Sequence, residues 1–213
     1  EVVIVGQRGG WEFRYYFDGL EGVDLSDARH LPPADIVTAN QLVIPTGSEI
    51  GLKILSRDVI HSYWIPALNG KRDAVPGRVA PWKIEAETPG VYFGQCTEFC
   101  GLSHARMQMQ TIAVDPADFQ TWIDEQIQPA VEATNAAAVR GQTVFEGQCA
   151  RCHVVNGMND GGGADLVANA APNLTHLMSR TTFAGGIFDL YEPDGSLNRT
   201  QLEAWLRNAP AEK

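Results

Sequence analysis

The 213-residue sequence predicts two domains, an all-β domain followed by a mainly α domain. Up to residue 114 the chain is a series of short apolar or alternating runs separated by Gly, Pro and Ser turns, the pattern of a sandwich or barrel. From Asp115 the apolar spacing becomes helical. Between the two regimes, residues 128–137 carry small side chains and little hydrophobic pattern. The predicted division is therefore 1–127, a linker at 128–137, and 138–213.

The strands follow in order. Residues 2–5 are a short apolar run, and 11–17 alternate with aromatics on one face. Runs 41–45 and 50–55 flank the turn 46–49. Residues 82–86 alternate, the turn 88–90 leads into 91–93, and 107–114 closes the set. Asp115 suits a helix N-cap and Pro116 the first helical position. Phe119, Trp122, Ile123 and Ile127 then share one face, so this helix is expected to pack on the β domain. A second helix is read over 139–145. The last runs from 199 to 208, with a capping box Thr200-x-x-Glu203 and an apolar face of Leu202, Trp205 and Leu206.

Composition narrows the function classes. With 44% hydrophobic and 20% charged residues the chain is ordinary for a globular protein. Its net charge of −10 argues against nucleic acid; it suits a basic protein partner, and equally plain solubility. No apolar run reaches the roughly 18 residues needed to span a bilayer, and no signal peptide is visible.

Two motifs use all four cysteines. In 96–107, C-x-E-x-C-G-x-x-H-x-x-M, Cys96, Cys100, His104 and Met107 supply soft or borderline donors, suited to redox copper rather than a hard cation. On these residues alone a structural disulfide or half a zinc site is also open. His61 stands upstream in V-I-H-S-Y-W-I-P, at the end of a strand-like run. Met109, two residues past Met107, reads as core. The second motif is Cys149-Ala150-Arg151-Cys152-His153. C-x-x-C-H is the attachment signature of c-type haem, with a redox dithiol or a zinc half-site as alternatives.

The His61 segment, G-K-R-D-A-V-P-G-R at 70–78 and the 96–107 loop arrive in one order and spacing. Together they resemble subunit II of haem-copper cytochrome c oxidases over residues 1–127. The resemblance implies a cupredoxin-like Greek-key β-barrel holding a dinuclear copper centre, CuA. Cys96 and Cys100 would bridge both coppers, and His61 and His104 would each ligate one. Met107 would give one copper a weak sulfur contact and the Glu98 backbone carbonyl the other. The Glu98 side chain would point to a magnesium ion shared with subunit I. Residues 138–213 resemble class I cytochrome c. This implies covalent haem on Cys149 and Cys152, with His153 as proximal iron ligand. In such fused domains the axial Met follows the C-terminal helix, and this chain ends at Lys213, where that segment would begin, so a truncated C-terminus is expected. Met178 is the substitute within the chain, ahead of Met158 and His176.

The resemblance also implies a role. Electrons would reach the haem from an external donor, a cytochrome c or a quinol-oxidising complex. They would pass to CuA and leave for subunit I, where O2 is reduced and protons are pumped. The chain itself holds no catalytic residue and no O2 site. It would associate with subunit I and other oxidase subunits on the outer face of the bacterial cytoplasmic membrane, anchored by helices outside this chain. One departure stands out. The family carries aromatics after its first strand, the first tryptophan being the proposed point at which electrons arrive from soluble cytochrome c. Aligned on Trp11, that position is Gly9, so the donor sits elsewhere or is built in. A nitric or nitrous oxide reductase subunit shares the copper loop, and a non-catalytic copper-binding or thiol-sensor protein is a third class. The H-S-Y-W-I-P segment and the fused C-x-x-C-H favour the O2 enzyme.

Overall fold

The computed structural model describes residues 1–160 and 171–213. Strands β1 (Val2–Gln7), β2 (Gly10–Tyr15), β3 (Ile36–Ala39), β5 (Ile50–Ser56) and β8 (Ala80–Ile84) form one sheet, in the order β3-β2-β1-β5-β8. Strands β4 (Gln41–Pro45), β9 (Gly90–Gln95) and β10 (Gln108–Val114) form a second, in the order β4-β10-β9. A hairpin of β6 (His61–Trp64) and β7 (Lys71–Ala74) completes the domain.

The two sheets share one core. Ile4, Phe13, Leu52 and Ile54 of the first meet Leu42, Ile44, Met109 and Ala113 of the second. The central strand β1 is apolar on both faces because a second cluster lies over its other side, where Val3, Val5 and Leu55 meet Tyr16, Leu20 and Leu25 of the long β2–β3 connection. The described strands form separate sheets rather than a closed barrel. The cupredoxin-like domain is therefore a two-sheet sandwich, with the His61 hairpin at one side.

Helix α1 (Pro116–Gln126) follows, with Asp115 at its N-cap. Phe119, Trp122 and Ile123 pack on the core, and Trp122 lies 5.2 Å from the Tyr15 ring. Ile127, expected on the same face, is half exposed and ends the helix. Beyond it the described residues carry two longer helices joined by turns and a short hairpin. Helix α2 (Ala136–Gln148) is capped by Asn135, whose side chain accepts from the Ala137 and Ala138 amides. A short hairpin, β11 (Thr182–Phe183) with β12 (Phe188–Asp189), precedes α3 (Arg199–Glu212).

The expected capping box is not formed. Asn198 caps α3 by accepting from the Gln201 amide, while Glu203 pairs with Arg199 and Arg207 one turn to either side. A short Asn side chain next to the helix wins the orphan amide, and Glu203 is held by two guanidiniums. Strands β3, β6 and β7 are too short and mixed for alternation to reveal, and His61 begins a strand instead of ending one. Among the described residues no helix is long and apolar enough to cross a membrane.

Candidate metal centre and haem cavity

The 96–107 loop is closed at both ends by backbone bonds. The Cys96 amide donates to the Met107 carbonyl at 2.9 Å, and the Thr97 amide donates to the Ser62 carbonyl at 3.1 Å, tying the loop to β6. A single 3-10 turn, His104–Arg106, brings Met107 back beneath the cysteines. Gly101, at φ 128°, takes the reversal that this return requires.

The closed loop converges its donors. Cys96 Sγ and Cys100 Sγ lie 3.9 Å apart. His61 Nδ1 is 3.9 Å from Cys96 Sγ, and His104 Nδ1 is 3.5 Å from Cys100 Sγ, one imidazole to each thiol. Met107 Sδ lies 3.6 Å from Cys100 Sγ, and the Glu98 carbonyl oxygen 3.2 Å from Cys96 Sγ. His61, Cys96, Cys100 and Met107 are buried, and the Glu98 side chain is exposed.

His61 is aimed from outside. Asp58 Oδ1 lies 2.8 Å from its Nε2, which leaves Nδ1 facing the thiols. Gly6 makes room for the ring, since a Cβ there would lie 2.9 Å from His61 Cδ2. Burial pushes the Asp58 carboxyl up, but the His61 hydrogen bond and two backbone amides outweigh it and bring it down to about 2. Burial likewise pushes the Cys96 thiol up, but His61 and the backbone bonds outweigh it, lowering it to about 7. Cys100 is pushed up to about 12, by burial first and then by the neighbouring Cys96 charge. Of the two thiols, Cys96 is thus the easier to ionise, because it holds the hydrogen bonds while Cys100 faces its charge.

The donor chemistry fits copper. All four cysteines are free thiols, and the Cys96–Cys100 separation is nearly twice the roughly 2.0 Å of a disulfide. Two thiols and two imidazoles would satisfy zinc, but a fully buried thioether and a carbonyl on the same cluster exceed zinc's four positions and suit a soft metal.

The second site is a cavity of about 350 Å³ whose lining includes Phe145, Cys149, His153, Leu174 and Trp205. Cys149 ends α2, and the His153 amide donates to the Cys149 carbonyl at 3.0 Å, so one turn carries the motif. His153 Nδ1 lies 2.7 Å from the Pro172 carbonyl oxygen, which directs Nε2 away for an iron. Cys152 is exposed. Arg180 also lines the cavity; it is buried, donates to the Asn173 carbonyl, and has no carboxylate partner among the described residues. Burial lowers it to about 10. An apolar cavity with one thiol, one oriented imidazole and one buried cation fits a haem with its carboxylate groups.

Three side chains weighed as a sixth iron ligand stand elsewhere. Met178 is half exposed, Met158 lines a different hollow, and His176 Nε2 lies 2.9 Å from the Gln128 carbonyl oxygen. Among the described residues the cavity lining includes no methionine.

The sequence reading missed Asp58, Arg180 and the role of Trp11. Asp58 had a signal, standing three residues before His61. Trp11 lines the haem cavity and sets its ring 5.9 Å from that of His61, a relation no local pattern carries.

Residues 10–114 match the family described as cytochrome c oxidase subunit II, periplasmic domain, and residues 138–186 match cytochrome c. The chain is 32% identical over 209 residues to cytochrome c oxidase subunit 2 of Alkalihalophilus pseudofirmus, a match covering 97% of this chain and 52% of that protein. The corresponding protein of Bacillus sp. strain PS3 is 28% identical, with coverage of 97% and 53%. The chain thus spans about half the length of these curated relatives. Among solved structures, the periplasmic domain of subunit II of cytochrome oxidase of Bradyrhizobium japonicum is 29% identical, with a TM-score of 0.48, covering 59% of this chain and 91% of that one. With copper-site donors converged in the first domain and the C-x-x-C-H cavity in the second, the chain belongs to the cytochrome c oxidase subunit II family, in the form that carries a cytochrome c domain.

Proposed function

We propose that this chain is the electron-transfer subunit of a terminal respiratory oxidase, carrying electrons from a c-type haem to a dinuclear CuA centre. The observation that carries the reading is the pairing of one imidazole with each of two thiols 3.9 Å apart, flanked by a thioether and a carbonyl. This symmetry supports a site for two metals rather than one. His61, Cys96, Cys100, His104, Met107 and the Glu98 carbonyl would hold the copper pair; Cys149, Cys152 and His153 would hold the haem. When bound, copper and haem supply one-electron couples.

The chain's own residues restrain the site. A loop pinned to β6 and β10, with His61 held by Asp58, resists rearrangement when charge changes, which keeps reorganisation small. The exposed Glu98 side chain is free to face subunit I and its magnesium ion. Electrons would leave there for O2 reduction, on the outer face of the bacterial membrane, after arriving from an external cytochrome c or quinol-oxidising complex.

The test is electron paramagnetic resonance of the oxidised, copper-loaded protein, with copper and iron counted in the same sample. The expected result is one unpaired electron shared over two equivalent coppers beside one haem iron. A single-copper signal would overturn the CuA assignment.

A further inference from the structure

The two sites belong to different domains, so their relation depends on whether the domains hold one orientation. We propose that residues 179–186 are a docking segment that locks the haem domain onto the β4–β10 face, closing the haem cavity against the β1–β2 turn. The proposal deepens the electron-transfer reading: it makes the built-in haem the sole occupant of the surface a soluble cytochrome would need.

Three features carry it. Gln41 and Gln110 are register partners on β4 and β10, and both are buried. Both side-chain amides donate to Thr181 Oγ1, from Gln110 at 2.6 Å, while Gln41 Oε1 accepts from the Thr181 amide at 3.1 Å. A side chain that meets the amide and hydroxyl of one residue fixes direction as well as distance. Second, Gln126 of α1, also buried, donates to Ser179 Oγ at 3.2 Å.

Third, the approach at the other end of the segment is closer than side chains allow. The Gln108 amide donates to the Gly185 carbonyl at 3.2 Å. A Cβ on Gly185 would lie 2.5 Å from the Gly9 carbonyl oxygen, and one on Gly186 would lie 3.3 Å from Gln108 Cβ. Gly185 and Gly186 have φ of 81° and 80°, so glycine serves both the turn and the contact. Gly9 itself stands at φ 88°, in the left-handed region that favours glycine, and a Cβ there would lie 2.9 Å from Lys213 Nζ. Gly9, Gly10 and Trp11 line the haem cavity from the β side, and Trp11 touches His61.

A tether alone would not fix this geometry. A short flexible linker holds the domains at millimolar effective concentration, so an intrinsic affinity of about 10 μM keeps roughly 99% of molecules docked. The docking surface has to supply that affinity.

The experiment is backbone 15N relaxation on the full chain with ferrous haem and no copper, which reads the tumbling of each domain. The expected result is one rotational correlation time for both domains. It should persist when fifteen Gly/Ser residues are inserted between Val131 and Glu132. In Gly185→Val, and in the double variant Gln41→Ala/Gln110→Ala made on the β side, two shorter times are expected, with each domain still folded by its chemical shifts. Two separate times in the unaltered chain, or one common time in both variants, overturns the docking segment. Because the reading needs no copper, its failure leaves the copper assignment standing, and a single-copper spectrum leaves the docking segment standing.

Discussion

The two domains hold their cofactor sites in opposite ways. In the β domain the donors sit at the rim of a core complete without metal: Trp11, Phe13, Leu42, Ile54 and Met109 are all buried, and Cys96, Cys100 and Met107 belong to the same cluster. In the haem domain the centre is the cavity. Phe183 and Leu190 are its only buried apolar side chains among the described residues, while Val144 and Leu206 are exposed. One domain presents a site, and the other is a shell around one. Protein apolar groups bury one another in the first; in the second, a prosthetic group has to supply the missing apolar surface.

The largest expected effect breaks that contrast directly. Cys149→Ser with Cys152→Ser removes covalent haem, and the haem domain should lose its helical signal while the β domain keeps its strands. Circular dichroism and amide chemical shifts read the two separately. Stripping copper from the parent chain should leave both domains folded, lowering only the melting temperature, because a bound metal adds stability by mass action to a domain already folded. Equal unfolding of both domains in either experiment would erase the distinction.

The next test concerns an internal ionic element of the β domain. Glu12 is buried between Arg14 Nη1 at 2.9 Å and Arg57 Nη2 at 3.1 Å. Glu12→Gln leaves two guanidiniums facing a neutral group, and about 3–5 kcal/mol of stability should be lost, read by urea unfolding. Burial pushes the Glu12 carboxyl up, but Arg57 and then Arg14 outweigh it and hold it below its ordinary 4.5. The sign follows: the folded pKa is depressed, so the contribution is complete above the unfolded carboxyl's pKa and is lost as pH falls through the lower folded value. The parent should therefore weaken in acid more steeply than Glu12→Gln does.

Packing gives a smaller effect. A Cβ on Gly94 would lie 2.3 Å from the Trp64 carbonyl oxygen and 2.8 Å from Met109 Sδ. Gly94→Ala should destabilise the β domain by about 1–3 kcal/mol while leaving the haem spectrum unchanged. The smallest effect belongs to the other domain. Asn198→Ala removes the α3 cap at a cost of about 1 kcal/mol, seen in the haem domain's transition alone.

Legibility in sequence followed the distance between partners. Cys96, Cys100, His104 and Met107 lie within one loop, so their spacing pointed to a shared site, and C-x-x-C-H did the same for the haem; the Glu98 carbonyl was legible only through the family resemblance. His61 is 35 residues from Cys96 and was legible only through the family's order of motifs. The long apolar or alternating strands β1, β2, β5 and β10 were legible because each carries enough residues for a period to show. The short β3, β6 and β7 were not, since their side chains answer to neighbouring strands rather than to their own sequence. The capping box failed for a related reason: a plausible local pattern lost to Asn198 and to two arginines already holding Glu203.

By itself the sequence determined the succession of a β domain and a helical one, the donor types, and the family to which they point. Those are properties of composition and of near neighbours. Tertiary structure alone decided that Asp58 turns His61 toward the thiols, that Arg180 is a buried cation on the haem cavity, and that Trp11 joins the cavity to His61. It alone set Gly185 against Gly9 and Thr181 against Gln41. These relations span up to 176 residues of chain between Gly9 and Gly185, and they exist only where burial forces distant polar groups and close-packed backbones to find one another.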